Sequence, residues 1–431
     1  MVSITHIPDP IHGNIEIPHW LRKIINEKSV RRMMFIRQLG LKTYADFPGA
    51  IHTRYSHVLG VMHLGGRIVD MISKKERNLG NNEISTNLEA NRNTIMAAGF
   101  LHDIGHGPFS HAIDYVLKKY ANKTHEDIAF DIIDKLPDIE NDGIIKTKVK
   151  DIIKGKHRYP FISQIINGPL DSDKLDYLLR DAYHVGLKYS LDLDHFINHF
   201  KILGQHNSML EKCELGLSND NQAIVTAEIF VVIWKSMYDL VYHVENSRIA
   251  EKMIEKAMLS KIKEDKNFLD YLKDIDKFID LNDEKLFEIL RHSGESKELV
   301  NRINDNNLYI KILEDELTIN KFKFGPKFIE LLISNPDGLS DKLTEILTNE
   351  MKCQDNELIC DIIKSRAPKT INIDLYDENT GEQIDLKNRS EIVKAIKEKS
   401  FIKIYVKNNE IKSKVENLIT PKLKDILKNW G

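Results

Sequence analysis

Residues 101–111 of this chain read Leu-His-Asp-Ile-Gly-His-Gly-Pro-Phe-Ser-His. The apolar run Ile95–Ile104 predicts a compact helix that ends at the following glycine, and Pro108 suits the first turn of a second helix. On a regular helix His102 and Asp103 would point about 100° apart, but at a helix end both can still converge on one ion. Imidazole and carboxylate together predict a site for Mn, Fe, Zn, Ni or Mg.

Two further segments carry the same kinds of side chain. Residues 52–57 read His-Thr-Arg-Tyr-Ser-His, and residues 171–177 read Asp-Ser-Asp-Lys-Leu-Asp-Tyr. Two histidines and two carboxylates leave open positions on a six-coordinate ion for a water and a phosphate oxygen, as metal-assisted phosphoester hydrolysis requires. Taken alone, each segment is typical of a helix cap or a turn. Their occurrence in this order, next to glycine-rich helix ends, favours a metal site.

The composition is that of an ordinary globular protein, with 431 residues, 42% hydrophobic and 29% charged, which is enough for two or three domains. The net charge of −3 excludes a broadly basic nucleic-acid coat but leaves a local basic pocket open. The three cysteines lack CxxC spacing, which disfavours disulfides and a cysteine zinc site and favours the cytoplasm. The most apolar stretch, Ala223–Trp234, is too short to span a bilayer, so it predicts a buried helix and no membrane association. No export signal is expected.

The rest of the chain predicts a mainly α protein. Residues 9–18 alternate like a short strand or extended arm, and almost everything from there to about residue 260 has helical spacing. The Lys- and Glu-rich region 260–365 predicts a peripheral helical layer, and residues 370–376 and 401–406 alternate with period two. We therefore expect a helical core that carries the metal site over residues 1–260 and a C-terminal helical region with a small β-containing unit over residues 261–431.

The spaced histidines and aspartates resemble the H…HD…D pattern of the HD-domain metal-dependent phosphohydrolases. The chain is most similar in pattern to the deoxynucleoside triphosphate triphosphohydrolases related to the sterile-alpha-motif-and-HD-domain protein, and no sterile alpha motif is expected here. The matching segments are Asp9–Gly13, Gln38–Gly40, Phe47–Ala50, His52–Gly60, Ala98–His111 and Asp173–Gly186. The resemblance implies an HD-domain helical core with a smaller α+β C-terminal lobe.

The resemblance also implies roles for individual residues. The metal ligands would be His57, His102, Asp103 and Asp173. The phosphate-facing and proton-handling residues would be His106, His111, His125 and Asp114, with His111 protonating the leaving oxygen. The substrate contacts would be Gln38, Leu39, Arg54, Lys174, Tyr177 and Asp181. Asp171 and Asp176 are interpreted as supporting or structural residues. Imidazole suits proton transfer because its pKa of about 6.5 lies near neutrality.

The reaction that the resemblance implies is attack by a metal-bound water or hydroxide on the α-phosphorus of a deoxynucleoside triphosphate, which releases a deoxynucleoside and inorganic triphosphate. The family assembles as dimers or tetramers, so a homodimer or homotetramer is expected. In some members a nucleotide bound at subunit junctions activates the enzyme. The corresponding residues here are Asn26, Arg31 and Met34 in place of Asp, Gln and Arg, which disfavours activation by GTP.

Two other functions remain open from the sequence. One is hydrolysis of another nucleotide, or of single-stranded nucleic-acid 3′ ends, at the same metal site. The other is a catalytically silent protein that binds nucleotides or takes part in an assembly. Nucleic acid is a possible partner that the net charge does not indicate.

Overall fold

The computed structural model of the chain describes residues 5–204, 209–292, 294–318, 324–364, 372–377, 382–397 and 399–430, and at residues 111, 141 and 364 it describes the backbone alone. Helices predominate in these residues, and the strands form three small sheets. The predicted fold class, mainly α with a helical core and a smaller α+β C-terminal region, is confirmed.

The helices are numbered in chain order. Those up to residue 264 are α1 (His19–Ile24), α2 (Lys28–Arg31), α3 (Lys42–Ala45), α4 (Arg54–Asn78), α5 (Asn82–Leu101), α6 (His111–Ala121), α7 (His125–Lys135), α8 (Lys146–Ile153), α9 (Pro160–Gln164), α10 (Ser172–His184), α11 (Leu193–Asn198), α12 (Asn221–Met237) and α13 (Glu245–Glu264). Those that follow are α14 (Phe268–Lys273), α15 (Ile275–Phe278), α16 (Asp283–Leu290), α17 (Gly294–Asn304), α18 (Pro326–Ser334), α19 (Pro336–Glu350), α20 (Glu391–Ala395) and α21 (Asn409–Lys428). One turn of π-helix, Tyr238–Tyr242, lies between α12 and α13.

The strands are β1 (His6–Asp9), β2 (Gly13–Glu16), β3 (Phe200–Leu203), β4 (Glu214–Ser218), β5 (Ile310–Glu316), β6 (Leu358–Lys364), β7 (Asp374–Tyr376), β8 (Gln383–Asp385) and β9 (Ser400–Val406). β1 and β2 form an antiparallel hairpin, with Ile7 opposite Ile15. The other sheets have the orders β3-β4-β7-β8 and β5-β9-β6, and within them only the β4–β7 pair is parallel.

Local sequence signals account for several helix ends. Thr124 caps α7 with a reciprocal capping box, in which its side chain accepts from the backbone N–H of Asp127 while Asp127 accepts from the backbone N–H of Thr124. The side chain of Asp171 caps α10 by accepting from the backbone N–H of Lys174 at 2.7 Å. Asp171 is therefore a helix cap, in agreement with the structural interpretation of this residue.

The helix ends around the His-Asp stretch differ from the prediction. α5 ends at Leu101, and α6 begins at residue 111 instead of near Pro108. Phe109 and Ser110 each have a φ of +55°, outside the helical range. Non-glycine residues in such conformations cost about 1–3 kcal/mol each and persist only where the surroundings hold them.

The extent of the strands was only partly predicted. The hairpin confirms an extended segment within residues 9–18, and β9 and β7 confirm the two late segments, although residues 370 and 371 lie outside the described part of the chain. The prediction that almost everything up to residue 260, and the layer over residues 260–365, is helical was wrong for β3, β4, β5 and β6. Their partners come from distant parts of the chain, as when Leu217 of β4 pairs with Leu375, and no local pattern encodes such pairing.

α12 confirms the helix predicted around residues 223–234, but the prediction that it is buried was wrong for one face. Val225, Ile229 and Val232 are 51%, 42% and 44% exposed, whereas Phe230 and Val231 are fully buried. No helix in the described ranges combines the length and the apolar character needed to cross a bilayer.

Apolar side chains form two separate clusters. The larger cluster runs from Ile15 through the long helices α4, α5, α12 and α13 as far as Ile303, and also takes in a few later side chains such as Leu375. The smaller one joins β6 and β9 to α18, α19 and α21. The division into domains at residues 260 and 261 stays a prediction.

Candidate metal centre and catalytic site

Three elements bring the four predicted metal ligands together. His57 lies in the first turn of α4, His102 and Asp103 follow the end of α5, and Asp173 lies in the first turn of α10. His57 Nε2 lies 3.0 Å from Asp173 Oδ1 and 3.6 Å from Asp103 Oδ2. His102 Nε2 lies 3.2 Å from Asp103 Oδ1 and 3.6 Å from Asp173 Oδ1. The ligand atoms of His57, His102 and Asp103 fit within 4.8 Å of one another, so one ion can contact all three.

The second nitrogen of each imidazole is held away from this centre. His102 Nδ1 lies 2.8 Å from the carbonyl oxygen of Gly99, and His57 Nδ1 lies 2.8 Å from Asp176 Oδ2. An acceptor at Nδ1 fixes the proton there and leaves the Nε2 lone pair for a metal. His102 Nε2 is buried and makes no hydrogen bond to a described residue, as expected of an atom whose partner is an ion. These residues fit a divalent cation.

The electrostatics of the centre favour positive charge. Burial opposes the charged form of His57, but the carboxylates of Asp173 and Asp176 outweigh it and raise the pKa of His57 to about 10. Burial also opposes the ionised form of Asp103, yet Arg54, His102 and His106 hold its pKa well below the usual range. Hydrogen bonds from His102 and His57 likewise outweigh burial and lower the pKa of Asp173. The carboxylates of Asp103 and Asp173 are therefore ionised at neutral pH, as metal ligation requires.

Asp176 supports the metal ligands from behind. It is fully buried, and besides His57 it contacts His12 Nε2 at 2.6 Å and accepts from Arg180 Nε and Nη2 at 2.8 and 2.9 Å. Arg180 also donates to Asp9 of the N-terminal hairpin at 2.7 Å. The hairpin thus holds Asp176, the residue that orients His57. This contact gives a structural role to Asp9–Gly13, one of the segments that match the family pattern.

The close approach of α4 to α10 depends on Gly60. A Cβ at this position would lie 2.6 Å from Asp176 Cγ and from Arg180 Nη2, and would overlap the Asp176 carboxylate. Asp176 can reach His57 only because α4 has no side chain there.

A second group of titratable residues lies beside the centre. His106 Nε2 is 3.3 Å from Asp103 Oδ1, and the ring of His106 stacks on that of His125 with centroids 4.0 Å apart. His125 Nδ1 lies 3.5 Å from Asp114 Oδ2. Burial lowers the pKa of His125, but Asp114 outweighs it and the net shift is upward. His111 is the first residue of α6, and its side chain lies outside the described part of the structure.

The two predicted phosphate-binding cations are held by protein groups. Arg54 pairs with Asp103 and donates through Nε to Ser110 Oγ at 3.0 Å. The ammonium of Lys174 pairs with Asp171 and donates to the carbonyl oxygen of Gly168 at 2.9 Å. Both cations lie near the centre, and Lys174 would have to turn from Asp171 to reach a phosphate.

Two of the predicted sugar and base contacts, Tyr177 and Asp181, lie on α10, and the other two, Gln38 and Leu39, lie shortly before α3. Asp181 Oδ1 is 2.7 Å from His52 Nε2, and its Oδ2 accepts from the hydroxyl of Tyr242 at 2.8 Å. Tyr177 and Tyr242 have ring centroids 6.1 Å apart. The Oε1 atom of Gln38 is buried and has no hydrogen-bond partner in the described residues, which suits a ligand contact. Leu39, the next residue in the sequence, is also buried.

Sequence reasoning missed several residues that the structure adds. His52 and Tyr242 hold Asp181, and the ring of Tyr238 lies 4.2 Å from that of Trp234 in a tilted arrangement and 4.9 Å from that of Tyr242 in an edge-to-face arrangement. The π-helical turn that carries Tyr238 and Tyr242 has no clear sequence signature. The recurrence of aromatic residues at 234, 238 and 242 could have indicated a shared face.

Comparison with known proteins identifies the class. The HD domain family matches residues 54–182, and the HD associated region family matches residues 204–424. The second match covers more than half of the chain, so the chain belongs to the HD-domain phosphohydrolases that carry an HD associated region.

Curated relatives agree with this assignment. An uncharacterized protein of Methanocaldococcus jannaschii is 28% identical over 98% of this chain and 83% of its own length. The deoxynucleoside triphosphate triphosphohydrolase SAMHD1 of Bos taurus is 27% identical over 90% of this chain and 70% of its own length. The SAMHD1 homolog of Dictyostelium discoideum, which carries the same enzyme name, is 29% identical over 74% of this chain, and the match spans 62% of that protein. The chain is thus homologous to the SAMHD1 triphosphohydrolases.

Proposed function

We propose that this protein hydrolyses deoxynucleoside triphosphates to deoxynucleosides and inorganic triphosphate with the help of a divalent metal ion. The observation that carries the proposal is the convergence of His57, His102, Asp103 and Asp173 with both Nε2 atoms facing the centre. The enzyme name of the Bos taurus and Dictyostelium discoideum relatives supports the choice of substrate.

The four ligands would hold the ion, which when bound supplies Lewis-acid chemistry at a phosphate ester. The metal could be Mg, Mn, Fe, Ni or Zn, because imidazole and carboxylate accept all of these. Asp176 and Gly99 would keep the two imidazoles in the ligating tautomer.

The remaining residues would bind substrate and move protons. Arg54 and Lys174 would offset charge on the phosphate oxygens, and His106 would face the phosphates. His111 would protonate the leaving oxygen, while the stacked His125, whose pKa Asp114 raises, would serve as the second proton-handling group. Tyr177, Asp181, Gln38 and Leu39 would contact the sugar and the base.

Product analysis of a dNTP panel tests the proposal. We expect the wild type with each candidate metal to release triphosphate, and Asp173→Ala to lose more than about 100-fold in rate, beyond the usual effect of a supporting residue. Asp192→Ala is the matched control, because Asp192 caps α11 by accepting from the backbone N–H of His195. Release of pyrophosphate or monophosphate would indicate another phosphohydrolase, and tight binding without turnover would indicate a silent protein.

Assembly as a homodimer or homotetramer and a cytoplasmic location stay predictions. Sedimentation equilibrium of the purified chain, with and without dNTP, measures the oligomeric state.

A further inference from the structure

Asp283 is a buried carboxylate that reaches the candidate site from the HD associated region. It is the first residue of α16 and is 3% exposed. Its Oδ1 accepts a hydrogen bond from the backbone N–H of Phe109 at 2.8 Å, and its Oδ2 accepts one from the backbone N–H of Arg37 at 2.9 Å. One carboxylate therefore joins two segments that lie far apart in the sequence.

These two segments carry residues of the proposed reaction. Phe109 precedes His111, the proposed acid, by two residues, and Arg37 is directly followed by Gln38. A shift of either segment would move a proton donor or a substrate contact relative to the metal ligands. Rates are sensitive to such shifts, since a misplacement of 1 Å can cost about 100-fold.

The loop that Asp283 holds has a strained backbone conformation. Phe109 and Ser110 both have φ values of +55°, which non-glycine residues adopt only when neighbouring groups hold them there. The hydroxyl of Ser110 donates to the carbonyl oxygen of Arg37 at 3.2 Å, so the two segments also bind each other directly. The ring of Phe287, from the same helix as Asp283, lies 4.6 Å from that of Phe109.

A second contact ties the same part of the HD associated region to the site. The Arg32 guanidinium donates to the carbonyl oxygen of Leu281 at 2.9 Å, to that of Ile104 at 3.2 Å, and to that of His106. Residues 281–283 are thus fixed to the His-Asp stretch at Phe109 and, through Arg32, at Ile104 and His106 before it.

We propose that Asp283 is a positioning residue for the catalytic centre, holding the loop before His111 and the segment that carries Gln38 in the arrangement that the reaction needs. This inference rests on the proposed function. It assigns to the HD associated region a part in setting the geometry of the HD site.

The ionised form of Asp283 accepts most strongly from both N–H groups, because neither of its oxygens then carries a proton. Burial raises the pKa of Asp283 to about 6, and the N–H groups of Arg37 and Phe109 oppose that rise. The charged and titratable groups around it are Arg32, Arg37, Tyr44, Arg54 and, on its own helix, Glu284. The contribution of Asp283 to the rate is therefore present above pH 6 and lost as the pH falls through 6.

Asp283→Asn tests the proposal, because the amide keeps the size but can accept through only one atom. We expect kcat to fall by about 100-fold while metal content is unchanged. We also expect the decrease in kcat near pH 6, on the acid side of the pH profile, to disappear in Asp283→Asn. In Asp283→Glu this pH dependence should return, together with part of the rate. The matched control is Asn282→Ala, which removes the neighbouring cap of α16, where the Asn282 side chain accepts from the N–H of Lys285 at 2.9 Å.

An unchanged kcat in Asp283→Asn, or an equal loss in Asn282→Ala, would overturn the proposal. If Asp283→Asn fails to fold, amide hydrogen exchange of the wild-type protein provides the test. After correction for intrinsic exchange rates, the peptide spanning residues 104–111 should lose protection as the pH falls from 7.5 to 5. Unchanged protection would overturn the proposal. The exchange measurement needs no turnover, so a wild type that hydrolyses no dNTP would refute the proposed function and leave this test intact.

Discussion

His57 Nδ1 lies 2.8 Å from Oδ2 of Asp176, a residue on the helix that also supplies Asp173. α10 therefore contributes both a metal ligand and the group that orients another ligand. Because Asp176 is at the same time held by Arg180 and His12, the orientation of His57 is set by a fully buried network.

Asp176→Asn should weaken metal binding by about 10- to 100-fold, because the amide cannot serve His57, His12 and Arg180 together. Elemental analysis after dialysis against a metal buffer measures the effect. Asp192→Asn, at the cap of α11, should retain wild-type metal content. Full metal content in Asp176→Asn would contradict the orienting role.

Gly60→Ala should destabilise the fold by about 1–3 kcal/mol and lower metal content, because the added methyl group overlaps the Asp176 carboxylate. Gly65→Ala on the same helix is the control, since its nearest neighbour is the side-chain Cδ1 of Ile166 at 3.3 Å. We expect a change below about 1 kcal/mol there, partly offset by the helix propensity of alanine. Urea unfolding compares the two, and equal destabilisation would refute the steric explanation.

Asp114→Asn should move the alkaline limb of the kcat profile to lower pH. Asp114 raises the pKa of His125 above its ordinary value, so the protonated form persists to higher pH in the wild type. Removing the carboxylate lowers that pKa, and activity that needs the charged imidazole is then lost earlier as the pH rises. Rate profiles of both proteins, measured from pH 5 to 10, check this. A shift of the alkaline limb toward higher pH in Asp114→Asn would be opposite to this expectation and would exclude the proposed role of His125.

Asp361→Ala should destabilise the protein by about 3 kcal/mol, because Asp361 is fully buried and its removal leaves the partly buried guanidinium of Arg248 with Glu251 as its remaining carboxylate partner. Asp361 lies on β6 and Arg248 on α13, and their closest atoms are 2.7 Å apart, so the pair ties the C-terminal sheet to the helical core. Asp276→Ala breaks the exposed pair with Lys135 and should cost less than about 1 kcal/mol. Thermal unfolding of both variants makes the comparison, and similar midpoints would show that the buried pair contributes little.

Several parts of the site could be predicted because they follow from short-range rules or from residue type. The cap of α7 at Thr124 depends on contacts three residues apart, and the alternation of residues 401–406 is visible in any window of that length. The paired Asp-X-Asp at 171–173 was harder, because a cap and a ligand look alike in sequence. Only the structure shows that Asp171 caps α10 while Asp173 faces His57.

The sequence by itself determined the set of imidazoles and carboxylates, their order along the chain and the mainly helical character of the segments around them, since these depend on residue type and local periodicity. The tertiary structure decided that Nε2 of His57 and His102 faces the centre, that Asp176 stands behind His57, and that Asp283 reaches the loop before His111. Those relationships join residues from about fifty to more than a hundred and fifty positions apart. They exist only once burial of the apolar faces has fixed how the helices cross.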